Sequence, residues 1–164
     1  MARDQLSLLD KKTKKRYNRT AHGGVPSKGK RKLERPLSKG WIHLTLKSDK
    51  AVGPLSFLAM RNKARVEQIL KVKAKKFGVK IADIANVGNH IHMKIRITSR
   101  EMFQKFLKSV TTLIARTVTG ARRGKKFGRF WQHLAYTRVL KSYIEELNLN
   151  GYLASNRAEA DVGA

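Results

Sequence analysis

Cysteine is absent from the 164 residues, which excludes disulfides and thiolate-held metal sites. Acidic side chains are scarce too: 11 Asp and Glu stand against 37 Lys and Arg. Eight of those acids lie beyond residue 39, and only Glu145 and Glu146 are adjacent. A nuclease that holds two metal ions with carboxylates needs several of them at close spacing, so that class does not fit. No apolar run approaches the ~18 residues of a membrane span. The opening "MARDQLSLLDKK" lacks the apolar core of a secretory signal. The chain is expected to be soluble and cytoplasmic, with no membrane partner.

Positive charge is what the sequence has in excess, a net +26. Residues 1–39 hold 13 basic and 3 acidic groups, or +10; residues 40–164 hold 24 and 8, or +16. The surplus therefore extends beyond the N-terminal segment, and a body this basic implies a polyanionic partner, most simply nucleic acid. Residues 1–39 contain "KKTKKRYNR" and "SKGKRKLERP" with interspersed glycine and proline. Such a segment buries too little apolar surface to order itself, so it is expected to be a basic flexible arm. Residues 40–164 are expected to form one domain.

Alternation marks the first strand of that domain at 40–49, with Ile42, Leu44 and Leu46 apolar and His43, Thr45 and Lys47 polar. Helical spacing follows from Leu58 to Phe77, ended by Gly78. Residues 79–87 and 90–97 are expected to be strands of a hairpin turning at Gly88-Asn89. Thr98-x-x-Glu101 has the form of a capping box, and the helix it opens carries Phe103, Phe106, Val110, Ile114 and Val118 on one face. Aromatic and β-branched content places a fourth strand at 130–140. A second capping box, Ser142-x-x-Glu145, opens a last helix to about residue 160, with Asn150-Gly151 as a weak point.

The order β-α-β-β-α-β-α matches the ferredoxin-like split arrangement, an α+β fold with an antiparallel sheet, plus a C-terminal helix. Its first and third strands are central neighbours, and both early helices cover one face. The other face is expected to be open, showing His43, Thr45, Lys47, His90, His92, Lys94 and Arg96. Lys47, Lys94 and Arg96 there, with Arg122, Arg123, Lys125, Lys126 and Arg129 of the loop 119–129, are the candidate DNA contacts. Trp41 and Trp131 are expected to pack rather than stack on bases.

His90 and His92 are the chemical centre of this pattern. Side chains at i and i+2 of a strand share one face about 6.6 Å apart, so two neutral imidazoles can bind one metal ion. With a phosphodiester partner such an ion acts as a Lewis acid. A protein nucleophile then has to be found among Tyr17, Tyr136, Tyr143 and Tyr152. Asn156 lies one helical turn past Tyr152 and can offer its amide oxygen to the metal.

"NHIHMKI" resembles the His-hydrophobic-His signature of the single-tyrosine HUH transposases, and the nearest branch is that of the REP-associated tyrosine transposases. "GRFW" at 128–131 and "YLASN" at 152–156 extend the resemblance over residues 40–160. The resemblance implies that His90 and His92 hold a divalent metal, Mg²⁺ or Mn²⁺, with Asn156 assisting. It implies that Tyr152 attacks single-stranded DNA and forms a 5′-phosphotyrosine link, which a second transesterification resolves. Implied substrates are single strands beside DNA hairpins. Arg157 stands where many relatives have proline, and the spacing from Trp131 to Tyr152 is longer than in some, so Tyr143 stays a rival nucleophile. One tyrosine per chain is compatible with a monomer or a homodimer. The alternative function is a basic nucleic-acid binder of the same topology, without catalysis.

Overall fold

The computed structural model describes residues 20–24 and 34–162. Five strands form one sheet: β1 (Ala21–His22), β2 (Ile42–Lys47), β3 (Lys80–Asn86), β4 (His90–Arg96) and β5 (Tyr136–Val139). Three α-helices accompany them: α1 (Met60–Lys76), α2 (Arg100–Thr119) and α3 (Tyr143–Val162). The sheet order is β1-β5-β2-β4-β3, antiparallel throughout. β5, β2, β4 and β3 are the four strands of the expected split arrangement, with β2 and β4 as central neighbours. Most of the N-terminal arm, residues 1–19 and 25–33, lies outside the described residues.

Side-chain period decides what each element buries. Ile42, Leu44 and Leu46 of β2 face the same side as Ile91, Met93 and Ile95 of β4, and all six are fully buried. Against them pack Val66, Leu70 and Ala74 of α1, spaced four apart, and Phe103, Phe106, Val110, Ile114 and Val118 of α2. Each such side chain contributes roughly 1.5–3 kcal/mol when removed from water. α2 begins one residue later than the Thr98 box indicated, because Ser99, in extended conformation, accepts the Met102 amide on its hydroxyl. Gly78 follows α1 at φ +63°, a left-handed position that suits a helix stop.

The expected fourth strand at 130–140 is shorter. Only Tyr136–Val139 pair as a strand; Phe130 and Trp131 belong to the loop that precedes it. Their aromatic character serves the core instead. Phe130 is buried with its ring 6.0 Å from Phe57, and Trp131 Nε1 donates to the Thr111 carbonyl at 2.9 Å. Ser48 Oγ donates to the Phe130 carbonyl at 2.6 Å, tying the loop to the end of β2.

One strand lies inside the segment expected to be an arm. Ala21 and His22 pair with Arg138 and Thr137 on the free side of β5. Arg35 secures this edge by donating to Ala135 O and Thr137 Oγ1, both at 2.7 Å. Burial, then the nearby Arg100, lowers the Arg35 pKa to about 10. Gly23 turns the chain at φ +86°, and a Cβ there would lie 2.0 Å from the Ala135 carbonyl oxygen. We expect Gly23→Ala to cost at least ~1 kcal/mol from backbone conformation alone, with the clash adding to it. A urea titration showing an unchanged midpoint would mean this edge does not contribute to folding.

Candidate active site

The second face of the sheet is not open across its whole width. α3 lies over the β3 and β4 half, where Leu149 and Leu153 are buried with Ala85 and Leu140. Ser142 Oγ accepts the Glu145 amide, and the Glu145 carboxylate accepts the Lys141 amide. The helix then runs unbroken through Asn150-Gly151. Two ion pairs hold it to the sheet, Lys94 with Glu146 at 3.2 Å and Arg157 with Asp83.

This corrects the expectation for Lys94. It is 7% exposed, its ammonium also donates to Asn150 Oδ1, and it lies 5.0 Å from the centre of the Trp41 ring. It anchors α3 and has no open face on which to meet DNA. Trp41 packs beside the Leu149–Leu153 patch and carries Arg96 at 4.4 Å on its ring. Lys47 and Arg96 remain at the surface. Arg122, Arg123, Lys125 and Lys126 are exposed in a tight turn closed by Arg122–Lys125 backbone bonds. Arg129, also exposed, bonds the carbonyls of Trp131 and Gln132.

Antiparallel register brings the histidines together. Thr45 stands directly opposite His92, and Lys47 opposite His90. His92 Nδ1 lies 3.0 Å from Thr45 Oγ1 and 3.1 Å from His43 Nε2. His90 Nδ1 bonds Asn89 Oδ1, and the two rings are 4.7 Å apart, edge to face. Both Nδ1 atoms are thus engaged from behind, the arrangement that fixes a ligating imidazole. Desolvation, then the charge of His43 and His90, lowers the His92 pKa to about 3. Desolvation and Arg138 lower His43 to about 4, and desolvation and Lys47 lower His90. All three rings are neutral near pH 7, as metal ligation requires.

Tyr152 projects from α3 onto this cluster. Its hydroxyl is 3.3 Å from His92 Nε2, and its ring is 5.1 Å from that of His92 and 6.2 Å from that of His43. Leu153, one residue on, is fully buried, so packing of α3 sets the position of the phenol. Asn156 is buried, and its Nδ2 donates to the Tyr152 carbonyl at 2.7 Å, leaving Oδ1 as its acceptor end. Tyr143 is 72% exposed and makes no hydrogen bond or ring contact with either histidine. Tyr17 lies outside the described residues.

His43 and Thr45 escaped sequence reasoning as site residues, although register on the central strands could have found them. Asn89, immediately before the His pair, carried a similar local signal. Among the described residues no group of three His, Cys, Asp or Glu side chains could hold a metal. Two neutral imidazoles on one face are a donor pair suited to a cation that completes its shell with oxygen.

No family model matches the chain, and no curated protein does. Solved structures do. One is a REP-associated tyrosine transposase bound to a REP hairpin, at a TM-score of 0.61 and 12% identity, covering 77% of this chain and 72% of that one. Another is a Deinococcus radiodurans protein described as a transposase, at 0.47 and 15%, covering 76% and 95%. At these identities the likeness is one of architecture: the chain has the fold of a REP-associated tyrosine transposase.

Proposed function

We propose that this protein is a transposase or single-strand endonuclease that cleaves and rejoins single-stranded DNA through a 5′-phosphotyrosine intermediate on Tyr152. The observation that carries the reading is the 3.3 Å approach of the Tyr152 hydroxyl to His92 Nε2. A phenol has an ordinary pKa near ~10 and is a weak nucleophile until a neighbouring charge stabilises its anion. His90 and His92, with Asn156, would hold a divalent metal, Mg²⁺ or Mn²⁺. When bound, it supplies Lewis-acid stabilisation of charge on the phosphate oxygens.

The protein's own groups do the rest. Tyr152 Oη forms a bond to phosphorus, the bond to the 3′ oxygen of the preceding nucleotide breaks, and that oxygen takes up a proton while the phenol's proton leaves to water. One phosphodiester replaces another, so the reverse step rejoins DNA without ATP. His43 and Thr45 keep the His92 ring in place, and Asn89 does so for His90. Leu149 and Leu153 press α3 onto the sheet. Phosphates elsewhere along the strand meet Lys47, Arg96 and the turn carrying Arg122, Arg123, Lys125, Lys126 and Arg129.

Tyr152 and His92 approach within one chain, which supports cleavage by a single copy. The fold match to a protein bound to a REP hairpin supports hairpin-flanked single strands as substrates. A labelled DNA hairpin with single-stranded flanks, incubated with Mn²⁺ or Mg²⁺, should become attached to the protein and migrate with it through denaturing gels. A cleaved strand that stays free of protein, or an uncleaved one, would reject the phosphotyrosine route.

A further inference from the structure

Tyr152 is carried by a helix with a thin apolar footing. Leu149 and Leu153 of α3 share a small buried cluster with Ala85 and Leu140, whereas α1 and α2 pack into the much larger core on the opposite face. Glu146, Leu149, Leu153 and Arg157 follow one another at spacings of three and four, so one stripe of α3 meets the sheet. An ion pair closes that stripe at each end, Glu146 with Lys94 and Arg157 with Asp83. Tyr152 stands between the two.

The Asp83 end depends on an irregularity of β3. Ile81 pairs with Ile95, but the next partner, Lys94, is met by Asp83 rather than Ala82. Ala82 is thus one extra residue, a β-bulge of the kind that re-aims side chains. Ile81 and Ile84 both pack against the core under α1 and α2. Residues three apart in a regular strand point to opposite faces. A regular strand with Ile81 on the core side would bring Asp83 to that side and turn Ile84 away from it. The bulge instead sets Asp83 beside Lys94, on the face that α3 covers. There the Asp83 carboxylate is fixed by its own strand, with Oδ1 accepting the Ile84 amide at 2.8 Å. Arg157 Nη1 donates to the same oxygen and reaches the Ile84 carbonyl at 3.4 Å.

We propose that Arg157 is a positioning residue for the nucleophile, and that the bulge at Ala82 serves to present Asp83 to it. Arg157 lies five residues beyond Tyr152 and one beyond Asn156, whose amide donates to the Tyr152 carbonyl. Pinning Arg157 to β3 therefore holds the turn of α3 from which the phenol approaches His92 Nε2 at 3.3 Å. Without that pin the leucines and Lys94 still hold the helix, but the phenol is free to shift, and a misplacement of ~1 Å can cost about a hundredfold in rate. The rate effect rests on the strand-cleavage reading, while the seating of Tyr152 does not.

Two measurements test this on the full chain. The first is NMR of the His92 imidazole without added metal, with Tyr152→Phe marking where its resonances lie once the hydroxyl is gone. Arg157→Ala should move them toward that position, and Arg157→Lys, which keeps a charge for Asp83, should stay closer to the parent protein. The second is adduct formation with the labelled hairpin. Arg157→Ala should lower the maximal rate about ten- to a hundredfold at an unchanged half-saturating hairpin concentration, with Arg157→Lys partly restoring it. Asp83→Asn still accepts the Ile84 amide but lacks the charge. It should act in the same direction as Arg157→Ala, and it keeps the test valid if that variant fails to fold. Unmoved His92 resonances, an undiminished maximal rate, a loss confined to hairpin affinity, or no rescue by lysine would overturn the proposal. Moved resonances in a protein whose parent forms no adduct would instead remove the cleavage reading and leave the seating of Tyr152 standing.

Discussion

Tyr152→Phe should abolish the covalent protein–DNA adduct while Tyr143→Phe leaves it intact. The change removes one oxygen and keeps the ring that packs at 5.1 Å against His92. The site should therefore keep its shape, and the loss falls on the nucleophile alone. The phenolic oxygen also bonds His92 Nε2, a part-buried contact worth about 1 kcal/mol, too little to unfold the domain. The chemical consequence is total, because no other hydroxyl of the described residues lies against that nitrogen. Tyr143 is 72% exposed at the start of the same helix. An adduct that persists in Tyr152→Phe and disappears in Tyr143→Phe would assign the nucleophile to the wrong turn of α3.

His90→Ala should lower metal-dependent cleavage by at least ~100-fold and leave hairpin affinity and its salt dependence nearly unchanged. Stabilisation by a metal of charge on the phosphate is worth several kcal/mol, and each 1.36 kcal/mol is tenfold in rate. Binding is expected to survive because neutral imidazoles release no counterions when DNA arrives. His90 is the cleaner of the two positions, being half-buried with its Nδ1 bonded to neighbouring Asn89. His92→Ala should show the same loss of cleavage with a larger loss of stability. It removes a side chain 6% exposed and strips His43 and Thr45 of a shared partner. Comparing cleavage with anisotropy for both variants separates the roles. If His90→Ala loses binding along with cleavage, the pair is structural.

Much of this architecture can be read from residue order. Period-two alternation in "WIHLTLK" and "HIHMKIR" fixed both central strands to within a residue or two, because a slip of one would turn His92 toward α1 and α2 and Met93 toward the opposite face. The apolar face of α2 was equally clear. Legibility failed where a local signal served a distant partner. Phe130 and Trp131 look like strand residues, but their rings fill the space under Phe57, a contact spanning more than 70 positions. Lys94 looks like a surface cation of an alternating strand. Only the return of α3 over β4 shows that it meets Glu146. Ala21 and His22 are too few to show any period, and their strand exists because β5 has a free edge. Within the site the His pair and Tyr152 were visible as residue types. Their convergence, and the places of His43, Thr45 and Arg138 around them, came only with the register.

The Lys94–Glu146 pair has a consequence for how the molecule spends its +26. A cation already matched by a carboxylate displaces no ions when a phosphate passes, so Lys94 itself adds little to the charge the sheet shows a polyanion. The unbalanced charge lies elsewhere, as on the outer side of α1, where Arg61, Lys63, Arg65, Lys75 and Lys76 are exposed with Glu67 the helix's single acid. On the proposed function, rising ionic strength would loosen the grip of these cations on the strand while leaving the neutral histidines and Tyr152 unaffected.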